Sequence, residues 1–445
     1  MSDKDSENKS AVVPEGAKQA EEIYGRWPWV ERRVWSARML QTLETGVKGG
    51  KWFSLIDKVW KEDNLGAAWG RTAINRGSAG VDGQSIRQFT ENLNRELGQL
   101  QRELKGGSYD PMPVRRCWIP KLGSKEKRPL GIPAVRDRIV QGAVRNVIEP
   151  IFERVFAEHS YGFRPGRGCK DALRRVDELL RRAGKDWVVD VDFKAYFDTI
   201  PHDKLMERVK ELISDGRLLA LIESYLKAGV LEELKGWEPT EQGTPQGAVI
   251  SPLLANLYLN PLDHLMAAAG YDMTRYADDF IIQCRSEAEA KAALEQIRQW
   301  AQENGLTVHP TKTRIVNASE PGGFDFLGYH FERGYKWPRE KSMDKIKDAI
   351  RHKTRRTQGQ SIQEVINQLN PTLRGWYEYF KDSQRNIFVT MDGWVRMRLR
   401  SILRKNQGKK GRGQGSDHQK WPNVYFEQLG YFSLEKAHRL ARQPP

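Results

Sequence analysis

Two short stretches decide the fold: WVVDVDF at 187–193 and MTRYADDFIIQ at 273–283. The first alternates strictly, with Trp187, Val189 and Val191 on one side and Val188, Asp190 and Asp192 on the other. A period of two over apolar residues predicts a β-strand, here with carboxylates on one face. The second reads as two short apolar strands about a tight turn at Ala277–Asp278, which sets Asp278 and Asp279 at a hairpin tip. Between them, the helical period of Leu205–Leu226 precedes the loop QGTPQG and a helix over Ser251–Met266 opened by proline at its first turn. After the hairpin come a helix over Ala288–Asn304, a short strand over Phe324–Phe331 and a mainly helical remainder from Met343.

An Asp-Asp pair alone is a common surface feature. At an apolar hairpin tip, however, two like charges repel unless a cation lies between them, and the strand carrying Asp190 and Asp192 supplies a complement. Three carboxylates converging from two strands can hold two Mg²⁺ ions, which activate a 3′-hydroxyl and stabilise a leaving pyrophosphate. That is nucleotidyl-transfer chemistry.

Working outward, the first twenty residues are polar and aperiodic and read as a disordered tail. Helical spacing follows over 21–75, carried by Trp35, Met39, Leu43, Phe53, Ile56, Val59 and Trp60, with the tryptophans read as core and not as a binding box. GSAGVDG (77–83) is a glycine-rich turn, and VRRCWIP (114–120) with RPLGIP (128–133) forms a basic hairpin. Helices are expected at 136–156 and 170–183, separated by SYGFRPGRG (160–168). The chain of 445 residues has a net charge of +15, of which residues 341–445 contribute +13 through 22 Lys and Arg against 9 Asp and Glu. That basic tail interleaves Trp376, Tyr377, Tyr379, Phe380, Trp394, Tyr425 and Phe426, a pairing of cations for phosphates with aromatics for bases or core packing that favours nucleic acid over membrane. No uncharged apolar run is long enough to span a bilayer, and MSDKDSENKS lacks a secretory pattern, so a cytoplasmic location is expected. Three scattered cysteines exclude a disulfide framework and a CxxC zinc site.

With these motifs in place, the sequence resembles the group II intron-encoded reverse transcriptases. DVDFKAYFD (190–198), QGTPQGAVISPLLANLYL (242–259), YADD (276–279), GLTVHPTKT (305–313) and FDFLGYHF (324–331) look like motifs A to E in order. KRPLGIPAVRDRIVQ and SYGFRPGRG resemble that family's finger motifs, and RGWYEYF with WPNVYFEQLGYFSL its thumb, or maturase, region. The resemblance implies an α+β right-hand polymerase: fingers at 76–186, a palm with an antiparallel sheet at 187–335, and a basic helical thumb at 340–445. It is similar to the compact members without an HNH endonuclease domain, and neither HxxxH nor CxxC occurs.

Residue by residue, the resemblance makes Asp192 and Asp278 the principal ligands of two Mg²⁺ ions, with Asp279 assisting, and leaves Asp190 and Asp198 structural. Phe197 stands at the steric-gate position, with a core aromatic as its plain alternative. Gly243, Thr244, Pro245, Gln246 and Gly247 match the motif B loop beside the nascent base pair, where glycines admit close backbone approach. Lys121 and Arg128 on the finger hairpin would meet the incoming triphosphate, and Lys312 could protonate pyrophosphate. Arg164 is expected to steer the template, and Arg374, Trp376 and Tyr377 to contact nucleic acid. The implied partners are an RNA template, in the first place a group II intron RNA, a DNA primer or target, and dNTPs. The implied function is RNA-directed DNA synthesis with intron binding, splicing assistance and mobility. Alternatives are an intron-free relative co-opted for defence or repair and an RNA-binding maturase with decayed polymerase, against which Asp192, Asp278, Asp279 and GTPQG speak. A polymerase making RNA would want a small or polar residue in place of Phe197.

Overall fold

The computed structural model describes residues 15–120, 127–232, 236–357, 359–413 and 415–442. Its strands are β1 (Val114–Pro120), β2 (Lys127–Ile132), β3 (Trp187–Val191), β4 (Val230–Glu232), β5 (Gly236–Glu238), β6 (Asp272–Tyr276), β7 (Asp279–Cys284), β8 (Arg314–Asn317), β9 (Phe324–Phe326), β10 (Tyr329–Glu332) and β11 (Tyr335–Pro338). They form three sheets, ordered β2-β1-β4-β5, β6-β7-β3-β8 and β11-β10-β9.

The second sheet, the expected palm, is antiparallel throughout, with Val189 opposite Ile282 and Val191 opposite Phe280. Alternation divides its side chains between two cores. Val189, Val191, Phe280 and Ile282 face a core built with the helices Ser251–Ala268, Glu287–Glu303 and Val135–Glu153 and with the N-terminal helices. Val188 and Ile281 face a second core shared with the helix Cys169–Arg181, the strands β9 and β10 and the helices beyond residue 340. The sheet is covered on both faces, which is why its middle strands are nearly continuously apolar.

Several expectations are corrected. Residues 15–20 are not a tail: the helix Glu15–Arg26 forms there, and Ile23 and Tyr24 pack against the first core. The expected helix over Leu205–Leu226 is two, His202–Leu212 and Gly216–Lys227. Asp215 breaks it, because its carboxylate accepts from the amides of Arg217 and Leu218 at 3.1 Å and from those of Leu55 and Ile56 at 2.6 and 2.9 Å. An Asp cap satisfies orphan helix donors and fixes a start where periodicity alone would run on. The expected strand over Phe324–Phe331 is the β9–β10 hairpin, turned at Leu327 and Gly328 with positive φ. β4 and β5, inside the range assigned to the palm, extend the finger sheet, since β4 lies parallel to β1 with Val114 opposite Val230. The helix Cys169–Arg181, assigned with the fingers, packs on the palm sheet because Ala172, Leu173 and Val176 form its apolar stripe. Trp35 is core as expected, fully buried with its indole N–H on the Asn146 carbonyl at 3.0 Å. Among the described residues, no helix is long and apolar enough to cross a membrane.

A buried polar node joins the first core to the fingers. Asp137 accepts from the Tyr109 hydroxyl at 2.6 Å and the Met112 amide at 3.1 Å, and the Tyr109 and Tyr225 hydroxyls lie 2.7 Å apart. Burial pushes the Asp137 carboxyl up to about 6. The folded state therefore retains this proton to higher pH than the unfolded chain does. The stability that protonation contributes is present in full below about pH 4 and is lost as pH rises through about 6. Relative to Asp137→Asn, wild-type unfolding free energy should fall by roughly 2–2.5 kcal/mol between pH 4 and pH 7. Urea titrations of both proteins at the two pH values check this; a pH-independent difference would show that the carboxyl does not titrate there.

Candidate active site

The site grows from the ends of β3, β6 and β7. Asp192 follows β3 directly, and Ala277 and Asp278 form the two-residue turn between β6 and β7, with Ala277 at φ +60. One residue beyond the last β3–β7 pair, Asp192 stands beside the first residue of β7, Asp279. Motif D straps Asp192 in place. The His309 amide donates to the Asp192 carbonyl at 2.7 Å, the Asp192 amide to the Thr313 hydroxyl at 3.3 Å, and the Lys194 amide to the Thr307 carbonyl at 2.8 Å. Lys312 Nζ lies 3.0 Å from Asp192 Oδ2, both side chains partly exposed.

The carboxylates feel one another. Burial raises the Asp278 carboxyl, the charge of Asp192 raises it further, and Arg275 opposes. Burial, then the charges of Asp190 and Asp278, push Asp279 upward, against Arg339. Both side chains still reach solvent at the turn, which moderates the desolvation. Asp190 is held by Arg314, whose Nε donates to Oδ2 at 3.1 Å, in keeping with a structural role. The convergence of three carboxylates is corrected: among the described residues, no group of three or more His, Cys, Asp or Glu stands close enough to hold a metal ion. The all-oxygen donor set still suits a hard cation, since Mg²⁺ is commonly held by one or two carboxylates with the remaining positions filled by substrate phosphates and water.

Beside this edge the motif B loop grips the chain around Phe197. The Thr244 amide donates to the Phe197 carbonyl and the Gly243 amide to the Ile200 carbonyl, each at 2.7 Å. Gly243 has φ +87, and a Cβ there would stand 2.8 Å from backbone atoms of Phe197 and Asp198. The Thr244 hydroxyl donates to Ser251 at 2.6 Å, and His202 Nε2 lies 2.6 Å from the Gly243 carbonyl. On its other side the loop meets the fingers: the Gly131 amide donates to the Gln246 carbonyl at 2.6 Å, and a Cβ on Gly247 would stand 2.5 Å from the Gly131 carbonyl. Pro245 borders a cavity of about 780 Å³ that Arg116, Trp118 and Asp198 also line. Phe197 is half-buried, edge-on to Tyr196 at 5.4 Å, and packs against the first core. Arg128 is exposed on β2 opposite Ile119; Lys121 lies outside the described residues.

Three expected nucleic-acid contacts are placed elsewhere. Arg164 is buried; its Nε donates to Glu153 Oε1 and Oε2 at 3.1 and 3.0 Å, its Nη2 to Oε1 at 2.6 Å, and its Nη1 to the Ser160 carbonyl at 2.8 Å. With its donors spent on Glu153 and its own loop, it cannot steer a template. Trp376 and Tyr377 are buried in the second core, edge-on to Phe388 with ring centroids 6.0 and 5.5 Å away. They fall on the inward stripe of the helix Ile362–Phe380 with Leu369, Leu373 and Phe380. Arg374, on the outward side, is exposed and lies over the Phe432 ring at 4.4 Å. The sequence pattern gives no role to Arg275, which is fully buried beneath the turn and bonded to Asp263, Asn256 and the Ala277 carbonyl. The available signal is an arginine within an apolar strand and two polar residues seven apart, Asn256 and Asp263, on the preceding motif's helix.

The family models that match the chain define its class as a reverse transcriptase. Residues 119–331 match the family model for reverse transcriptase (RNA-dependent DNA polymerase), and 343–421 match that for the group II intron maturase-specific domain. Protein YkfC of Escherichia coli is 37% identical over 292 residues, covering 57% of this chain and 76% of YkfC. The group II intron-encoded protein LtrA of Lactococcus lactis is 44% identical over 168 residues, 38% of this chain and 28% of LtrA. A solved chain of a partial Cas6-RT-Cas1--Cas2 complex is 26% identical, covering 56% of this chain and 41% of that one with a TM-score of 0.36. The chain belongs to the group II intron-encoded reverse transcriptase/maturase family, with RNA-directed DNA polymerase as its activity class.

The Arg164 geometry has a measurable consequence. Arg164→Ala leaves Glu153 without its partner and should cost about 3–5 kcal/mol of stability. The log–log salt dependence of RNA binding should stay unchanged, whereas removing a phosphate contact lowers that slope by about one. Urea unfolding and fluorescence anisotropy across a salt series read the two quantities.

Proposed function

We propose that Asp192 and Asp278, assisted by Asp279, hold the divalent metal for RNA-templated synthesis of DNA. The observation that carries this is their placement: Asp192 at the end of β3 and Asp278 in the β6–β7 turn share one sheet edge, with the Phe197 segment and the GTPQG loop clamped alongside. Bound there, two Mg²⁺ ions would lower the pKa of a primer 3′-hydroxyl and stabilise charge on the departing pyrophosphate. The chain's own residues do the rest. Phe197 presents its ring to the sugar of the incoming nucleotide and disfavours a 2′-hydroxyl. Gln246 and Gly247 bring backbone close to the nascent base pair, at a spot where a side chain at Gly247 would collide with the fingers. Arg128 and Lys121 on the finger hairpin neutralise the triphosphate. Lys312, already beside Asp192, is placed to give a proton to the pyrophosphate.

The wider reading is a polymerase with fingers at 76–186, less the helix Cys169–Arg181 and supplemented by β4 and β5, a palm at 187–335 and a thumb at 340–445. The thumb's +13 charge, with Arg374 on its exposed face, grips RNA, in the first instance a group II intron RNA whose splicing and copying the protein assists. A DNA primer or target and dNTPs complete the substrates.

Asp278→Asn removes one negative charge from the metal site and should lower Mg²⁺-dependent primer extension on an RNA template by about 10³-fold or more, with the melting temperature preserved. Near wild-type extension by that protein would sink the metal assignment. Phe197→Ala should raise rNTP over dNTP incorporation by about ten-fold, ~1.4 kcal/mol in relative barrier. If the ring is only core packing, both substrates suffer alike and the ratio stays constant; steady-state incorporation opposite one template base separates the two.

A further inference from the structure

The catalytic turn rests on a buried polar assembly. Arg275, the fourth residue of β6, is fully buried. Its Nε and Nη2 donate to Asp263 Oδ1 and Oδ2 at 2.7 and 2.5 Å, a two-pronged pair that fixes the guanidinium plane. That leaves Nη1, which donates to Asn256 Oδ1 at 2.8 Å and to the Ala277 carbonyl at 2.9 Å. Ala277 is the residue before Asp278, and its φ of +60 is disfavoured for an L residue. Its carbonyl is therefore held by a charge-assisted bond in a conformation the turn would not otherwise favour.

The assembly continues into the SYGFRPGRG loop. Asn256 Nδ2 donates to the Gly162 carbonyl at 2.7 Å. The Tyr161 amide donates to the Arg275 carbonyl at 2.8 Å and the Arg275 amide to the His159 carbonyl at 3.0 Å, so the loop lies along β6 like an added strand. Gly162 then passes so close beneath the turn that a Cβ would stand 2.3 Å from the Ala277 nitrogen and 2.8 Å from the Tyr276 carbonyl carbon. Three separated pieces of sequence, the loop at 159–162, the helix Ser251–Ala268 and the β6–β7 hairpin, converge on one short backbone segment. Arg164, through Glu153 and its own loop's carbonyls, keeps the loop in this shape.

We propose that Arg275, with Asn256 and Gly162, is a positioning device that sets the height and orientation of the Asp278 turn from beneath. This rests on the reading of Asp278 as a metal ligand. A plain stabilising ion pair would need Arg275 and Asp263 alone. The additional bonds to Asn256, Ala277 and Gly162 are directed at the turn, where a displacement of about 1 Å costs on the order of 100-fold in rate.

Two substitutions leave the Arg275–Asp263 pair untouched. Asn256→Asp keeps the acceptor for Arg275 and removes the donor to Gly162; Gly162→Ala drives a methyl against the Ala277 nitrogen. In the full chain, with an RNA template, a DNA primer, dNTPs and Mg²⁺, each should lower kcat by about 100-fold while leaving KM for dNTP within about two-fold, and raise the Mg²⁺ concentration for half-maximal rate. Without nucleic acid or Mg²⁺, amide hydrogen exchange in the 272–284 peptide should be about ten-fold faster, with the helix Glu287–Glu303 unchanged. Val209→Ala, in the first core on the helix His202–Leu212 and bonded to none of the buttress groups, gives the comparison for general destabilisation. Unaltered exchange at 277–279 in both variants, or an equal kcat loss in Val209→Ala, would overturn the proposal. A wild-type chain that fails to extend primers would overturn the polymerase reading instead, and the exchange comparison would still decide the buttress.

Discussion

The period-two alternation of β3 and β7 is the constraint on which the molecule depends. Because Val189, Val191, Phe280 and Ile282 point one way and Val188 and Ile281 the other, one sheet closes two cores. A slip of one residue in the β3–β7 register would exchange the two sets and carry Asp190 into the first core, where an unpaired carboxylate is costly. The same register brings the end of β3 level with the β6–β7 turn. Packing of the cores and assembly of the carboxylate edge are thus one event, and neither can be shifted without the other.

Charge is used in opposite ways at the edge and beneath it. At the edge, burial and the charges of neighbouring carboxylates raise the affinity of Asp278 and Asp279 for protons or for a cation, while their side chains stay open to solvent. Arg164 and Arg275 are fully committed in the interior, each holding a carboxylate in a two-pronged grip; Arg164 spends its remaining donor on backbone carbonyls, Arg275 on the Asn256 side chain and the Ala277 carbonyl. Buried pairs of this kind add little net stability, since desolvation offsets attraction, but they fix geometry because the alternative is an uncompensated charge. The polar groups that touch the site are therefore soft on the solvent side and rigid on the protein side.

The motif B loop couples the sheet to the fingers. Its glycines adopt positive φ at 243 and 247, and in both places a Cβ would strike backbone of another element. A single loop thereby fixes the carbonyl of Phe197 on one side and the amide of Gly131 on the other.

The sequence by itself determined the elements whose signals are local: the alternation of 187–193, the hairpin around Asp278, the proline-opened helix from Ser251 and the basic finger hairpin. It also determined the candidate chemistry, because carboxylates at strand ends and glycines in a Thr-Pro-Gln loop announce themselves within a few residues. What only the tertiary structure decided are matters of partnership across long separations. Arg164 looked like a template contact in a loop of glycines and arginines, yet Glu153 and the chain's own carbonyls consume its donors. Trp376 and Tyr377 looked like nucleic-acid aromatics, yet the helix stripe with Leu369, Leu373 and Phe380 turns them inward. Asp215 divided a helix that periodicity ran together, because its four amide donors come partly from residues some 160 positions away. Arg275 is marked locally only as an arginine within an apolar strand; its burial is tolerable because Asp263, Asn256 and the Ala277 carbonyl surround it. Periodicity reports which face of an element is wet; only the packed structure reports which charge has found its partner.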